Sequence, residues 1–336
     1  MEKEGALTNN RTPGPVPEPS RQQDAGSAAT SIMSRTVLGA VLGLGVAVVL
    51  WADSMRLEER LPAGLQVVPG LTALLHYGLL TALVAAALAG LALNDYWSLS
   101  RRLGADFSRP LLIACGMALL LLQWAGWAAT YGLFYVCPVW LRQPGTTAIA
   151  VLCGAAFVLL ADRVLRGRIE GSFQDVSLFV LGLLYVAVAF GFIGALRVRW
   201  GVPGALTAVA VCKSTDIGGY YFGHLIGGPR LAHRVSPRKT WAGAAGAAVA
   251  AVLMALALTT LGWTILSIPL ALLYGLLMAP VAVLGDLSES LLKRQAGVKD
   301  SGNLVPGYGG MLDILDDLLF ALPFSYLFFA VVYHYT

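Results

Sequence analysis

Residues 264–290 read TILSIPLALLYGLLMAPVAVLGDLSES: twenty-two residues without a charge, then Asp286 and Glu289. A helix of that length is about 33 Å long, enough to cross the roughly 30 Å hydrocarbon core of a bilayer. A charge placed inside such a span costs about 2.5–3.5 kcal/mol on insertion, so acids where a span ends face water, a cavity or a functional path. This one stretch makes the chain a membrane protein and points to chemistry at the ends of its helices.

The whole chain agrees. It is 57% hydrophobic and 12% charged, half the roughly 25% charge of a soluble domain, and its mean hydropathy is +0.71. Its 38 glycines suit helices that pack closely in lipid, where small residues let backbones approach. A net charge of +4 is too modest to argue for a nucleic-acid partner. Cys115, Cys137, Cys153 and Cys212 are scattered with no C-x-x-C pair, and read as small core hydrophobes rather than a disulfide framework or zinc site.

Nine apolar segments are long enough to be spans, near 36–52, 70–93, 110–136, 145–162, 176–195, 203–222, 241–261, 264–285 and 314–333. The expected fold is an all-α, polytopic helical bundle. It divides into a polar tail over 1–35 that reads as disordered, N-terminal helices over 36–200 and a C-terminal region over 201–336. With the N-terminus inside, the cytoplasmic pieces hold 18 of the 23 Lys and Arg residues, as the positive-inside rule requires. The expected place is the cytoplasmic side of a bacterial inner membrane.

Three cytoplasmic span ends carry ionisable groups: Lys213-Ser-Thr-Asp216, Gly285-Asp286-Leu-Ser-Glu289-Ser290, and Gly309-Gly310-Met-Leu-Asp313-Ile-Leu-Asp316-Asp317. Asp313 and Asp316 are three apart, on one face of a helix, and repel unless a cation lies between them. Asp286 ends another span on the same side. Acidic oxygens from two helices suit Mg²⁺, which binds one or two carboxylates plus substrate phosphates. Asp286, Asp313 and Asp316 are therefore the expected metal ligands, with room for a second metal ion. The rival reading, acids that only cap helices at the interface, stays open for Asp313. Between the last two spans, Lys293, Arg294 and Lys299 stand ready to hold phosphate oxygens, and glycines allow backbone N–H groups to come close. A second basic stretch, Ser236-Pro237-Arg238-Lys239-Thr240-Trp241, precedes the seventh span.

These residues resemble the phosphatidate cytidylyltransferase family. Its signature runs S-x-x-K-R-x-x-x-x-K-D-x-G, then P-G-H-G-G, then D-R-x-D. Here Ser290, Lys293, Arg294, Lys299, Asp300, Gly302, Pro306, Gly307, Gly309, Gly310, Asp313 and Asp316 fall in register. Asp216-x-Gly218-x-Tyr220 and the Ser236–Trp241 block are similar to further blocks of the family, and Asp95-Tyr96-Trp97 before Arg101-Arg102 is similar to its acidic-aromatic-basic helix end. The resemblance implies CTP and phosphatidate as substrates, CDP-diacylglycerol and pyrophosphate as products, Mg²⁺ as cofactor and membrane lipid as surroundings; it leaves a homodimer open. It assigns catalysis to Asp286, Lys293, Asp313 and Asp316. Substrate binding falls to Lys213, Asp216, Ser236, Arg238, Lys239, Arg294, Lys299, Asp300 and Tyr308. Tyr308 stands where the family has histidine, Ile314 where it has arginine, and Ala242 where it often has glutamate. Two alternatives differ in class: a CTP-dependent enzyme acting on another lipid acceptor, and an ion-coupled transporter. The second lacks the matching interrupted spans of inverted repeats.

If Tyr308 donates a hydrogen bond to phosphate, Tyr308→Phe lowers turnover about ten- to a hundredfold, equal to about 1.4–2.7 kcal/mol of transition-state stabilisation. Steady-state kinetics on the purified variant checks this; full activity in the Phe variant means the ring only packs.

Overall fold

The structure, a computed structural model, describes residues 77–131, 142–304 and 309–333. The polar tail, the first expected span near 36–52 and Tyr308 lie outside the described residues.

Helices α1 (Leu79–Arg102), α2 (Arg109–Tyr131) and α3 (Pro144–Leu165) come first. Then α4 (Ser172–Gly182) passes through a π-helical segment (Leu183–Val188) directly into α5 (Ala189–Leu225). A short antiparallel hairpin, β1 (Arg230–Ala232) and β2 (Ser236–Thr240), leads into α6 (Trp241–Thr260) and α7 (Ile268–Gln295). The chain closes with α8 (Leu312–Leu315) and α9 (Leu318–Val332). Among the described residues, seven helical runs are long and apolar enough to cross a membrane.

The run Ser172–Leu225 has 54 residues and would measure about 81 Å if straight, far more than the roughly 30 Å of hydrocarbon. Gly201, at φ 67° and ψ −163°, breaks it. The two expected spans 176–195 and 203–222 thus meet at one glycine hinge, with Pro203 supplying the fixed φ that starts the next turn.

Two of the three groups of ionisable residues are not at helix ends as expected, while Asp313, Asp316 and Asp317 are. Lys213 and Asp216 lie inside α5, and Asp286 and Glu289 lie inside α7, with further turns after each. At about 42 Å, α7 outruns the hydrocarbon, so its last turns carry Lys293 and Arg294 beyond it.

Glycine contacts set the helix spacing. A Cβ on Gly243 would lie 2.8 Å from the Gly219 carbonyl, and one on Gly275 2.6 Å from Val252 Cα. Helices α5, α6 and α7 therefore touch backbone to backbone. Likewise a Cβ on Gly285 would lie 2.7 Å from the Asp316 carbonyl, so α7 meets the α8–α9 junction one residue before Asp286. The core between the helices holds Tyr96, Tyr274, Phe179 and Phe329, all fully buried.

The α1–α2 loop is held by charge. Arg163 and Asp175 form a buried pair at 2.7 Å, and Asp175 also accepts from the Asp106 N–H at 2.7 Å. Arg101, chiefly by its hydrogen bond, and Arg168 keep the exposed Asp106 carboxyl below the usual carboxylate range.

The topology has a direct test in a protein without its native cysteines. Lys299 and Thr260 are both exposed and one helix apart; Lys299→Cys and Thr260→Cys label from opposite sides of a sealed vesicle. Same-side labelling overturns the arrangement.

Candidate active site

Helix α7 presents Asp286 and Glu289, and the α8–α9 junction presents Asp316. One carboxylate oxygen from each of the three lies within 4.8 Å of the other two. The helical register puts Asp286 and Glu289 on one face, and the close approach at Gly285 carries Asp316 to it. Asp316 is held in place because its Oδ1 accepts from the Asp317 N–H at 2.8 Å.

Cations ring the cluster. Lys239, from β2, reaches Asp286 at 2.6 Å. Lys293 contacts Glu289 one turn away and reaches Asp313 at 2.5 Å. Lys213 donates to Asp317 at 2.5 Å and to the Ile314 carbonyl at 2.8 Å, and Asp216 stands 3.7 Å away. Six acids (Asp216, Asp286, Glu289, Asp313, Asp316, Asp317) thus share three lysines, a formal charge of −3 with all groups ionised. Two carboxylate oxygens within 4.8 Å of each other repel by at least about 3.5 kcal/mol at an effective dielectric of 20. Glu289 is fully buried, and Lys293, which Glu289 shares with Asp313, is the cation against it. This is a site short of positive charge. All its donors are oxygens, so it fits a hard divalent cation such as Mg²⁺.

The expected ligands are redistributed. Asp286 and Asp316 are in the cluster with Glu289, and Asp313 lies beside it, sharing Lys293 with Glu289. Asp313 Oδ2 accepts from Ser301 N, Ser301 Oγ and Gly310 N at 2.7–2.9 Å. It ties down the loop before α8, close to the capping role left open for it. Because α8 is only four residues long, Asp313 at its start also takes up the N–H groups of the preceding loop, while Asp316 at its end meets Asp286 and Glu289.

The loop has a second anchor that the motif block conceals. Asp95, near the end of α1, accepts from the Met311 and Leu312 N–H groups at 2.6 and 3.2 Å. A Cβ on Gly302 would lie 2.6 Å from Asp95 Oδ1, and one on Gly310 would clash with Asp95 Oδ2. These glycines make room for a carboxylate of the protein, not for a phosphate as expected.

Several expected phosphate contacts are engaged within the protein. Lys213 is taken by Asp317, which is fully buried and also accepts from Cys212 Sγ at 3.1 Å. Asp317 stood in the quoted motif but was not among the expected site residues; its adjacency to Asp316 is the one signal that marks it. Ile314 is buried, which leaves no place for the charge of the family's arginine. Arg294 reaches the Val235 carbonyl at 3.4 Å and so links α7 to the hairpin that carries Ser236, Arg238 and Lys239. Arg238, Lys299 and Asp300 are exposed.

Comparison with known proteins shows the family. The sequence profile described as "Cytidylyltransferase family" matches residues 58–332. A phosphatidate cytidylyltransferase of Brucella suis is 36% identical over 220 residues, covering 63% of this chain and 74% of its own. One of Bacillus subtilis is 34% identical over 193 residues, covering 56% of this chain and 70% of its own. The matched span takes in α1 to α9, the carboxylate cluster and its lysines: the chain is an integral membrane member of the cytidylyltransferase family.

Proposed function

We propose that the chain transfers the cytidylyl group of CTP to phosphatidate, giving CDP-diacylglycerol and pyrophosphate for phospholipid synthesis, at the cytoplasmic face of a bacterial inner membrane. The observation that carries this is the convergence of Asp286, Glu289 and Asp316, ringed by lysines, in a member of this family. Residues 201–336 form the catalytic region in this reading, and 36–200 supply the helices that brace it.

A phosphate oxygen of phosphatidate forms a bond to the α-phosphorus of CTP. The bond from that phosphorus to the α,β-bridging oxygen breaks, and pyrophosphate leaves with the electron pair. The attacking oxygen is already anionic, so no residue has to remove a proton, and catalysis reduces to positioning and charge. Asp286, Glu289 and Asp316 would hold Mg²⁺, which when bound offsets phosphate charge and orients the polyphosphate. Lys239 and Lys293 each lie against a carboxylate of the cluster, within reach of an anion placed there. Exposed Lys299 and Arg238 guide the nucleotide in from solution. Asp95 and Asp313 hold the loop and the start of α8, and through them Asp316.

Labelled CTP incubated with phosphatidate, a polyprenyl phosphate and an ether-lipid phosphate tests the reading. Label passes to phosphatidate and disappears with a chelator; preferential transfer to another acceptor, or no transfer, overturns it.

Asp316→Asn removes one charge from the cluster while its oxygen still accepts from Asp317 N–H. Turnover falls at least a hundredfold. The chelator-treated protein melts about 1–2 °C higher, the size of shift that 1 kcal/mol gives a chain of this length. Thermal unfolding followed in detergent checks the second outcome; an unchanged or lower midpoint means the acids do not repel.

A further inference from the structure

We propose that Tyr185 is a substrate-contacting residue of this site, its hydroxyl donating to a phosphate oxygen of a substrate held at Asp286, Glu289 and Asp316. The inference rests on the reading above and adds a residue from the N-terminal helices to it.

The Tyr185 hydroxyl is buried and has no hydrogen-bond partner among the described residues. A buried donor left unmade costs about 1–3 kcal/mol, and a phenylalanine would fill the same space without it. Other phenols packed in this core are satisfied: Tyr96 donates to the Leu178 carbonyl at 2.9 Å, and Tyr274 pairs with Ser325 Oγ at 2.7 Å. Tyr185 also sits within the π-helical segment Leu183–Val188. Such insertions are rare and cluster at functional sites.

Its position gives the hydroxyl a use. The ring packs edge-on against Phe320, with centroids 6.4 Å apart. Asp316 and Asp317 both have helical backbone angles, so Phe320 lies one turn after Asp316 on the same face. The phenol is within electrostatic range of Asp316, Glu289 and Asp286, yet donates to none of them. A phosphate drawn to the cluster would bring an acceptor into this range. Both substrates carry that chemistry, CTP in its polyphosphate and phosphatidate in its headgroup.

The test is Tyr185→Phe in the full chain in detergent micelles. The free variant melts at or above the wild-type midpoint, because an unpartnered hydroxyl has been removed. Its kcat/KM falls about ten- to a hundredfold. Thermal shifts then identify the phosphate without turnover: Mg²⁺ with CTP in one arm, a short-chain phosphatidate in the other. The shift shrinks, relative to wild type, in the arm whose phosphate Tyr185 contacts. Wild-type kinetics with equal shifts in both arms overturns the proposal. So does a variant that melts lower, since the hydroxyl then has an internal partner. A wild type that stabilises on binding these ligands but transfers no label breaks the functional reading alone, and the thermal shifts still decide Tyr185.

Discussion

Six carboxylates share three lysines at one end of a helical bundle in lipid, and that shortage of positive charge governs the rest of the structure. In water, screening would make it trivial. Between closely packed helices each unmatched carboxylate carries a penalty of several kcal/mol unless a cation or a hydrogen-bond donor is brought to it. The protein meets this in two ways. Asp216, Asp313 and Asp317, like Asp95 beside them, are given donors: backbone N–H groups, the Ser301 hydroxyl and lysine ammonium groups. Asp286, Glu289 and Asp316 are left close together with only Lys239, Lys293 and one backbone N–H among them, an arrangement that suits a cation.

Convergence depends on how near the helices can come. At Gly285 the α7 backbone lies against the α8–α9 junction, and any side chain there would strike the Asp316 carbonyl. The glycines of α5 and α6 act in the same way in the adjacent layer, bringing β2 and its Lys239 over α7. Helix α7 holds the acids on rigid turns rather than on a loop, so their spacing is fixed by helix pitch. The α8–α9 junction needs more support because α8 is so short. Lys213 supplies it by bridging Ile314 and Asp317, and Asp95 supplies it from α1.

The N-terminal helices are therefore integral to the site's construction. Asp95 crosses from α1 to hold the start of α8, and Tyr96 beside it packs against Gly182 just before the π-helical segment. One turn of α1 thus touches both the signature loop and the segment that carries Tyr185. This gives physical content to the Asp95-Tyr96-Trp97 block, for which hydropathy alone had no use.

Membrane character, the approximate helices and the family are all legible in the amino-acid order. Hydropathy and charge add up locally along the chain, and a lipid solvent punishes every local error. Asp286, Asp316, Lys239 and Lys293 stand out for the same reason, as charges in a sequence that otherwise excludes them. Which acids meet is settled only by the packed fold. Glu289 joins Asp286 and Asp316 through the close approach at Gly285, and Asp313 meets Glu289 across Lys293. Gly302 and Gly310 make way for Asp95, far back in the chain on α1, a partner no local pattern can reveal. The meeting of Asp286 with Asp316 is set by where two helices cross, and a crossing is a property of both backbones at once.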